Sequence, residues 1–362
     1  MINKYFLAGV LGLGLFCTTT AYSGEIPMET SENPFGVLDF IYWNHSWNNY
    51  QYPDKQSIDL GVALMRKAGV GWVRMDFLWQ DIEPRQGERH FEKYDYIVNA
   101  LTAGGIGILG VLSYHTDWAS PQRAWNVSSD DTSMFTAYCS AVAARYKDRV
   151  KYWEIWNEPD SGTYWQPQDG MKRYCILLKD AYRALKKVDP ECFVLNGGLA
   201  NGLTSVNRLY DNGAKDYFDI FNIHDFQSPY DKIAIKRTIA YVNTAYKVMC
   251  RNGDGRKKIW LTEIGCPGVK RGIQTEPWWM GRNPSEKQQA QWVRQVCTEL
   301  PKVKPLDKFF WAFFRDTDRH WETGVDYFGL VRHDFKVKPA FEEYRKAVKA
   351  YQKGAYGQRS AR

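Results

Sequence analysis

The feature that most constrains the fold of this 362-residue chain is an alternation, repeated eight times, between short apolar runs and longer amphipathic stretches. The short runs are rich in β-branched and aromatic residues and predict buried strands. The longer stretches carry apolar residues at three- and four-residue steps and predict helices. The predicted strands are Val37–Ile41, Gly71–Phe77, Ile106–Ser113, Tyr152–Trp156, Phe193–Asn196, Phe218–Ile223, Lys258–Thr262 and Phe309–Phe314. The predicted helices are Ser57–Ala68, Tyr94–Ala103, Thr132–Tyr146, Gly170–Val188, Val206–Asn212, Lys232–Cys250, Glu286–Glu299 and Pro339–Lys349.

Eight strand–helix units in one chain predict an α/β fold, a single (β/α)8 TIM barrel. The main alternative is a doubly wound open sheet, which usually carries a glycine-rich phosphate turn after an early strand. The string Gly12–Gly14 lies in the N-terminal apolar segment and gives this alternative no support. No linker rich in Pro or Ser divides the chain, so we expect one catalytic domain over residues 24–349 and a basic tail over residues 350–362.

The N-terminus has the three parts of a secretory signal peptide. Lys4 supplies a charge, Phe6–Phe16 is apolar or Gly, and the small polar segment Thr18–Ser23 follows. The apolar part is too short to cross a bilayer, which needs about 20 helical residues. We therefore expect residues 1–23 to be cleaved, and the protein to be periplasmic or secreted with no membrane span. An uncleaved membrane anchor is the alternative.

Charge and composition restrict the partners. The chain has 48 basic and 41 acidic residues, but five of the basic residues and none of the acidic ones lie in residues 346–362. Because the remainder is nearly neutral, the basic excess does not argue for a nucleic-acid partner. We expect a monomer that binds no nucleic acid.

Six cysteines remain after residue 23, and their wide spacing without a CxxC motif gives no support to a zinc or thioredoxin-type site. Disulfides and free buried thiols both stay open, because an exported chain permits disulfides and a domain of this size does not need them. The six residues are Cys139, Cys175, Cys192, Cys250, Cys266 and Cys297.

Two carboxylates stand where a barrel places its chemistry, at the carboxyl ends of strands. The fourth predicted strand runs into Asn157, Glu158 and a proline, and the seventh runs into Glu263. Residues at these two strand ends face each other across the mouth of a barrel. Such a pair suits glycosidic hydrolysis, in which one carboxylic acid protonates the leaving oxygen and the other carboxylate attacks the anomeric carbon. A single Glu would more often be structural; the pair, within the eightfold pattern, favours catalysis.

These motifs resemble those of the clan A retaining glycoside hydrolases, a superfamily of (β/α)8 enzymes. The segment Trp153–Asp160 is most similar to family 39, with family 5 next, and Thr262-Glu263 resembles the nucleophile motif of the clan. Trp79–Pro84 and Phe328–Val331 fit the same group, so the resemblance covers nearly the whole chain after residue 23.

The resemblance implies roles for several residues. Glu158 would be the general acid/base and Glu263 the nucleophile, while Asn157 would hold the sugar 2-hydroxyl. Arg74 matches the arginine that keeps the nucleophile ionised, so we expect it to lower the pKa of Glu263. An alternative partner for Arg74 is Glu154, which the pattern of the fourth strand places inside the barrel.

Two histidines follow strand ends and are weaker candidates. His224 matches a clan histidine that contacts the sugar or the acid, and His115 ends the third strand; a lone strand-end histidine is often structural. The chain departs from the clan at Phe226, where many members have a tyrosine that hydrogen-bonds the nucleophile. Tyr230 is an alternative source of that bond.

Aromatic residues at strand ends and in loops predict sugar-stacking platforms. Trp311 matches the clan platform beneath the reacting sugar, and the other candidates for substrate binding are Trp43, Trp79, Trp278 and Trp279. Tryptophans spread over several loops favour an open groove and endo-action on a polysaccharide or oligosaccharide. The alternatives are an exo-acting β-xylosidase-like enzyme, a transglycosylase and a catalytically silent glycan-binding barrel. Neither a metal nor an organic cofactor is implied.

Overall fold

The strands of the computed structural model lie where the sequence predicts them, and their ends differ from the prediction by at most three residues. The structure describes residues 33–41, 52–120, 122–127, 131–166, 170–278, 282–317 and 319–354. The expected signal peptide over residues 1–23 and the candidates Trp43 and Trp279 lie outside these ranges. The strands are β1 (Phe35–Leu38), β2 (Trp72–Leu78), β3 (Gly107–Ser113), β4 (Tyr152–Ile155), β5 (Phe193–Asn196), β6 (Phe221–His224), β7 (Ile259–Ile264) and β8 (Leu306–Ala312).

A long helix follows each strand, and a short extra helix follows β2. Helix α1 begins at an Asp54 side chain that accepts from the Ser57 amide and ends at Gly69, whose positive φ of 82° favours glycine. In the described ranges, no helix combines the length and the apolar character needed to cross a membrane. The helices are α1 (Lys55–Ala68), α2 (Trp79–Ile82), α3 (Glu92–Ala103), α4 (Ser133–Tyr146), α5 (Met171–Val188), α6 (Gly202–Asp211), α7 (Ala234–Arg251), α8 (Glu286–Glu299) and α9 (Pro339–Gln352).

Helix α9 corrects the boundary expected for the C-terminal tail. It continues to Gln352, so residues 350–352 belong to the helix and not to the tail. Its inner face is buried against the barrel, and the Tyr344 hydroxyl donates to the Gly36 carbonyl of the first strand. The last helix therefore packs against the first strand of the domain.

The strands are all parallel and lie in the order β5-β4-β3-β2-β1-β8-β7-β6, which brings β5 and β6 together to close the barrel. The closure uses isolated bridges between Leu195 and Ile220 and between Leu199 and Ile223. Asn196 completes it, because its side chain accepts from the Asn222 amide and donates to the Asn222 carbonyl, each at 2.9 Å. The sequence therefore forms the predicted single (β/α)8 barrel.

Strand alternation divides the buried residues between the barrel interior and the helix layer. The interior floor holds Trp72, Tyr152 and Trp260, whose ring centroids lie 4.9–5.3 Å apart. Arg74 and Glu154 stand two residues further along their strands, above this aromatic floor. A packed floor excludes water from below, so the polar groups of the barrel can be reached only from its mouth.

The question of disulfides is settled for the described residues. Each of the six cysteines carries a free thiol; five are buried and Cys250 is exposed. Burial raises the pKa of these buried thiols, for example that of Cys192 to about 12. Such thiols behave as small apolar groups of the core and not as nucleophiles.

Candidate active site

Arg74 links three residues at the carboxyl ends of the strands. Its guanidinium donates twice to Glu154, at 2.7 and 2.8 Å, once to Glu263 at 2.8 Å and once to the Asn157 side chain at 2.8 Å. Glu154 also accepts from the Gly198 amide at 3.0 Å. Both partners expected for Arg74 are therefore real, and one arginine positions the candidate nucleophile and the candidate sugar-binding amide together.

The charges of this cluster shift the pKa values of its members. Although burial favours a neutral Arg74, the charge and hydrogen bonds of Glu154, with that of Glu263, raise the pKa of the guanidinium. Burial raises the pKa of Glu263 above its ordinary value, and the opposing effects of His224 and Arg74 do not outweigh it, because the charges of Glu158 and Glu154 add to the rise. The expectation of a lowered pKa for Glu263 is thus wrong, since burial outweighs the charges of His224 and Arg74.

A hydrogen-bonded chain runs from Glu158 to the barrel wall. The Thr262 hydroxyl donates to the Asn222 side chain at 2.7 Å, and it therefore accepts from His224 Nε2, at 3.0 Å. His224 Nδ1 lies 2.9 Å from Glu158 Oε1. Because Nε2 carries a proton, the Glu158–His224 pair shares one further proton, held on the carboxyl or on the ring.

The protonation of His224 follows from its surroundings. Burial by itself lowers the pKa of this histidine, but the charge of Glu263 and the hydrogen bond and charge of Glu158 raise it above its ordinary value. His224 Nε2 also lies 3.8 Å from Glu263 Oε1. The histidine thus stands between both candidate catalytic carboxylates and stabilises their negative charge.

The two candidate carboxylates lie close together. One oxygen of Glu158, one oxygen of Glu263 and a ring nitrogen of His224 all lie within 4.8 Å of one another. Among the described residues, only this set of three His, Cys, Asp or Glu side chains has the spacing to hold a metal ion. Glycosidases that retain the anomeric configuration have carboxyl groups about 5–5.5 Å apart, whereas inverting enzymes leave about 6.5–9.5 Å for a water. The proximity here fits the shorter spacing.

The backbone around Glu158 and His224 is unusually constrained. Trp156 and Glu158 have φ values of 68° and 42°, in the left-handed region that costs energy for residues other than glycine. A Cβ on Gly198 would lie 1.9 Å from His224 Nε2, so only glycine allows this close approach. Sequence reasoning missed Gly198, because the contact joins the loop after β5 to the end of β6, 26 residues further along the chain.

Three residues expected in the site lie elsewhere, since protein covers their rings. Trp311 is fully buried and its indole donates to the Phe328 carbonyl; strand alternation turns Phe310 inward and Trp311 towards the helices. Trp79 is buried and donates to Glu83. His115 is also buried, with no hydrogen-bond partner for either ring nitrogen in the described chain, and burial lowers its pKa to about 4. The expectation that these three bind substrate is corrected.

Trp278 lies in the loop after β7. Its side chain is 38% exposed, and its ring makes edge contacts with Phe226 and Phe328 at centroid distances of 5.1 Å. Phe226 thus packs against an aromatic neighbour in place of bonding the nucleophile. Tyr230, the alternative source of that bond, is exposed, and Arg282 stacks on its ring. In the described structure no tyrosine hydroxyl bonds Glu263.

A second aromatic group at the mouth was not predicted. Tyr114 makes edge contacts with Trp125 and Trp156, at 4.9 and 5.2 Å, and lies parallel to Tyr164. Burial raises the pKa of Tyr164, and the charges of Glu158 and Glu263 raise it further. Its hydroxyl is therefore within electrostatic reach of both carboxylates. No short motif surrounds Tyr114, Trp125 or Tyr164, so the sequence carried no signal for this group as a whole.

A (β/α)8 barrel with one glutamate just after β4 and a second on β7, an arginine on β2 and aromatic rims defines the glycoside hydrolase class of site. Comparison with known families agrees: the model of the cellulase family, glycosyl hydrolase family 5, matches residues 28–311. The chain belongs to this family. Of the two families that the sequence resembles, it is the second, and the assignment to clan A is confirmed.

Curated relatives share the class at low identity. Endo-1,4-beta-xylanase 3 of Hypocrea jecorina is 28% identical over 42% of this chain and 48% of its own length. Endo-1,4-beta-xylanase B of Thermotoga neapolitana is 22% identical over 88% of this chain and 89% of its own length. The chain thus spans about half the length of the first of these relatives and most of the second.

Solved structures show the same fold. A family 39 glycoside hydrolase from Bacteroides cellulosilyticus WH2 has a TM-score of 0.69 at 21% identity, covering 88% of this chain and 64% of that one. A GH5_18 protein from Streptomyces cattleya, solved with GlcNAc, has a TM-score of 0.65 at 16% identity, covering 88% and 81%. At these identities the likeness concerns the barrel alone.

Proposed function

We propose that this protein is a retaining glycosidase that hydrolyses β-glycosidic bonds in a polysaccharide or oligosaccharide by double displacement. The observation that carries the proposal is the proximity of Glu158 and Glu263, whose oxygens lie within 4.8 Å of each other. That spacing is shorter than the separation of about 6.5–9.5 Å at which an inverting enzyme places a water between its carboxylates. Arg74 on Glu263 and His224 on Glu158 give the two carboxylates different partners, as two different roles require.

In the first step Glu263 attacks the anomeric carbon while the bond from that carbon to the leaving oxygen breaks. The proton shared by Glu158 and His224 goes to the leaving oxygen, and a glycosyl ester of Glu263 forms. Arg74 donates to the carboxylate before attack and holds it in line, while Asn157, fixed by the same guanidinium, presents its amide to the sugar.

In the second step a water attacks the same carbon and the ester bond to Glu263 breaks. Glu158 takes the proton of the water, so the enzyme returns to its starting state. The product keeps the β configuration, because each displacement inverts the carbon once. His224 accepts or returns the proton without moving, since Thr262 fixes its other nitrogen.

The decisive experiment captures the intermediate. An activated 2-deoxy-2-fluoro β-glycoside should label the protein stoichiometrically, and peptide mass spectrometry should place the label on Glu263. Glu263→Ala should take no label and should release α-glycosyl azide when azide is added. Proton NMR of early product should show the β anomer. A label on another residue, or α product from the unmodified enzyme, would refute the double displacement.

The substrate we propose is a neutral β-linked polymer cut internally. Two relatives are named endo-1,4-beta-xylanases, and exposed tryptophans on two loops, Trp125 and Trp278, offer separate stacking surfaces as a groove requires. Xylan, β-glucan and mannan should be compared. Endo-action predicts a ladder of oligosaccharides and an early fall in viscosity; single sugars from the first minutes would support the exo-acting alternative.

Export and a monomeric state complete the proposal. Residues 1–23 have the composition of a signal peptide, which supports a periplasmic or secreted enzyme. The N-terminal sequence of the protein recovered from its native host tests this point: cleavage after Ser23 is expected, and an N-terminus that retains the apolar segment would contradict it. Sedimentation of the same sample measures the oligomeric state.

A further inference from the structure

A cavity of about 430 Å³ borders His224, and its other lining residues have no role in the two displacements just described. Its walls come from the loop after β5 and from the loop after β6 together with α7. Asp225, which follows His224 in the sequence, is one of the residues that line the cavity. The residues that line the cavity are Ala200, Gly202, His224, Asp225, Phe226, Gln227 and Tyr241.

Two contacts connect the cavity with the loop that carries Glu158. His224, one of its lining residues, bonds Glu158 at 2.9 Å. Asp160, two residues after Glu158, accepts from the amides of Ala200 and Asn201 at 3.1 and 2.7 Å, which ties the Glu158 loop to the cavity wall. Because the general acid protonates the leaving oxygen, the sugar that carries this oxygen must lie on the Glu158 side.

The Asp225 carboxylate accepts hydrogen bonds from two neutral side chains and is not paired with a cationic side chain in the described residues. Thr238 donates to one carboxylate oxygen at 2.6 Å and Gln227 to the other at 2.9 Å. In the described chain no Lys, Arg or His forms an ion pair with it, although the side chain is half-buried. Each oxygen keeps an unused acceptor position. A second feature points to a missing partner, because the buried Tyr241 hydroxyl beside this cavity has no hydrogen bond in the described structure.

We propose that this cavity is the subsite for the leaving-group sugar and that Asp225 holds this sugar by accepting hydrogen bonds from two adjacent hydroxyls. The proposal rests on the proposed function and adds a specificity. A neutral sugar with two neighbouring hydroxyls fits the free acceptor positions of Asp225. A uronic acid does not, because its carboxylate would meet Asp225 and Glu158 with no cation among the lining residues other than His224.

The second displacement can be run with a sugar acceptor, which isolates this subsite. The acceptor hydroxyl attacks the anomeric carbon, the bond to Glu263 breaks, and the hydroxyl proton goes to Glu158. The enzyme is first labelled with the activated 2-deoxy-2-fluoro glycoside, and recovery of activity is then followed with increasing methyl β-glycoside of the same sugar. Recovery in water alone gives the reference rate.

We expect the acceptor to speed recovery saturably in the unmodified enzyme, and methyl β-glucuronide to have at least tenfold less effect. In Asp225→Asn the ratio of acceptor-dependent to water-dependent recovery should fall at least tenfold. Asp211→Asn, an exposed aspartate at the end of α6, is the matched control and should keep the ratio.

An unchanged ratio in Asp225→Asn, an equal loss of both recovery rates, or equal recovery with the glucuronide would overturn the subsite. The proposed function fails in a different way, because then no label would form on Glu263 at all. The labelling rate of Asp225→Asn also shows whether the variant has folded.

Discussion

Two buried clusters of charge lie near the mouth of this barrel, and they are built in opposite ways. In the first, Arg74 serves both Glu154 and Glu263, with Glu158 close by, so carboxylates outnumber cations. In the second, Lys338 pairs with Asp316 at 2.7 Å and also donates to the Gly268 and Tyr327 carbonyls. The first is electrostatically strained and the second is balanced.

The difference distinguishes an active site from an ion pair that holds loops in place. Lys338 precedes α9 and ties the loops after β7 and β8 to the start of that helix, and every donor of its ammonium has an acceptor. The Arg74 cluster keeps one carboxylate, Glu263, without a cation of its own. Strain of this kind costs stability and is retained where chemistry needs it. The two clusters should therefore respond oppositely to substitution.

The largest effect is expected for Glu263→Gln. Loss of the nucleophile should lower kcat on the order of 10⁴–10⁶-fold. The melting temperature should stay the same or rise, because Arg74 keeps its two bonds to Glu154 and one repelling carboxylate is gone. Calorimetry and aryl-glycoside kinetics test both points. Glu299→Gln, on the outer helix α8, is the control and should change neither. A large loss of stability in Glu263→Gln would show that the cluster is structural as well.

Lys338→Met should have the opposite pattern. At a pH above the Asp316 pKa of about 7, removing the ammonium leaves this carboxylate buried with no counter-ion, which costs about 3–5 kcal/mol of unfolding free energy. The folded fraction should keep its kcat, since Lys338 contacts neither Glu158 nor Glu263. Urea unfolding measures the loss. Lys336→Met removes an ammonium two residues away, 75% exposed and paired with Asp334, and should cost less than about 1 kcal/mol. Equal losses in the two variants would contradict the comparison.

The sequence predicts more of the Arg74 cluster than of the Lys338–Asp316 cluster. The eightfold alternation predicts the barrel, and the short motifs around Glu158 and Glu263 predict the catalytic pair, because both signals are local. No local signal predicts the pairing of Lys338 with Asp316, since it depends on how the loops after β7 and β8 converge. The prediction that Trp311 is the platform beneath the sugar is wrong for a different reason. Trp311 matches the clan motif, but the alternation of side chains along β8 turns Phe310 inward and Trp311 outward. The pKa of Glu263 needs the sum of burial and four charges, which no sequence pattern contains.

Gly198→Ala tests how tightly the active cluster is held. The new Cβ would lie 1.9 Å from His224 Nε2 and would push the ring away from Glu158. Misplacement by about 1 Å costs about 10²-fold in rate, so kcat should fall by roughly that factor. The Lys338 cluster has no contact with Gly198, and its contribution to stability should persist. Near-normal kcat in Gly198→Ala would mean that the position of His224 does not control the reaction.

The smallest effect, and the one that most sharpens the comparison, is the response of the two clusters to the same change of pH. Burial raises the pKa of Glu263, and attack needs its ionised form, so kcat/KM should rise with pH through a midpoint above the ordinary glutamate value.

Burial also raises the pKa of Asp316, to about 7, against the opposing effect of Lys338. The folded state therefore holds a proton on Asp316 that the unfolded chain has already lost above about pH 4. Stability from this group is complete below that pH and falls as pH rises to about 7, with a slope of at most about 1.4 kcal/mol per pH unit.

Asp39 and His224 also have raised pKa values and His115 has a lowered one, so the effect of Asp316 must be measured as a difference in unfolding free energy between two proteins. The unfolding free energy of the unmodified protein minus that of Asp316→Asn should fall between pH 4 and 7, while kcat/KM of both proteins rises together over its own midpoint. If the difference in unfolding free energy does not change with pH, Asp316 is ionised throughout and forms an ordinary ion pair with Lys338. If the midpoint of kcat/KM moves with Asp316→Asn, the two clusters are coupled and the separation drawn between them fails.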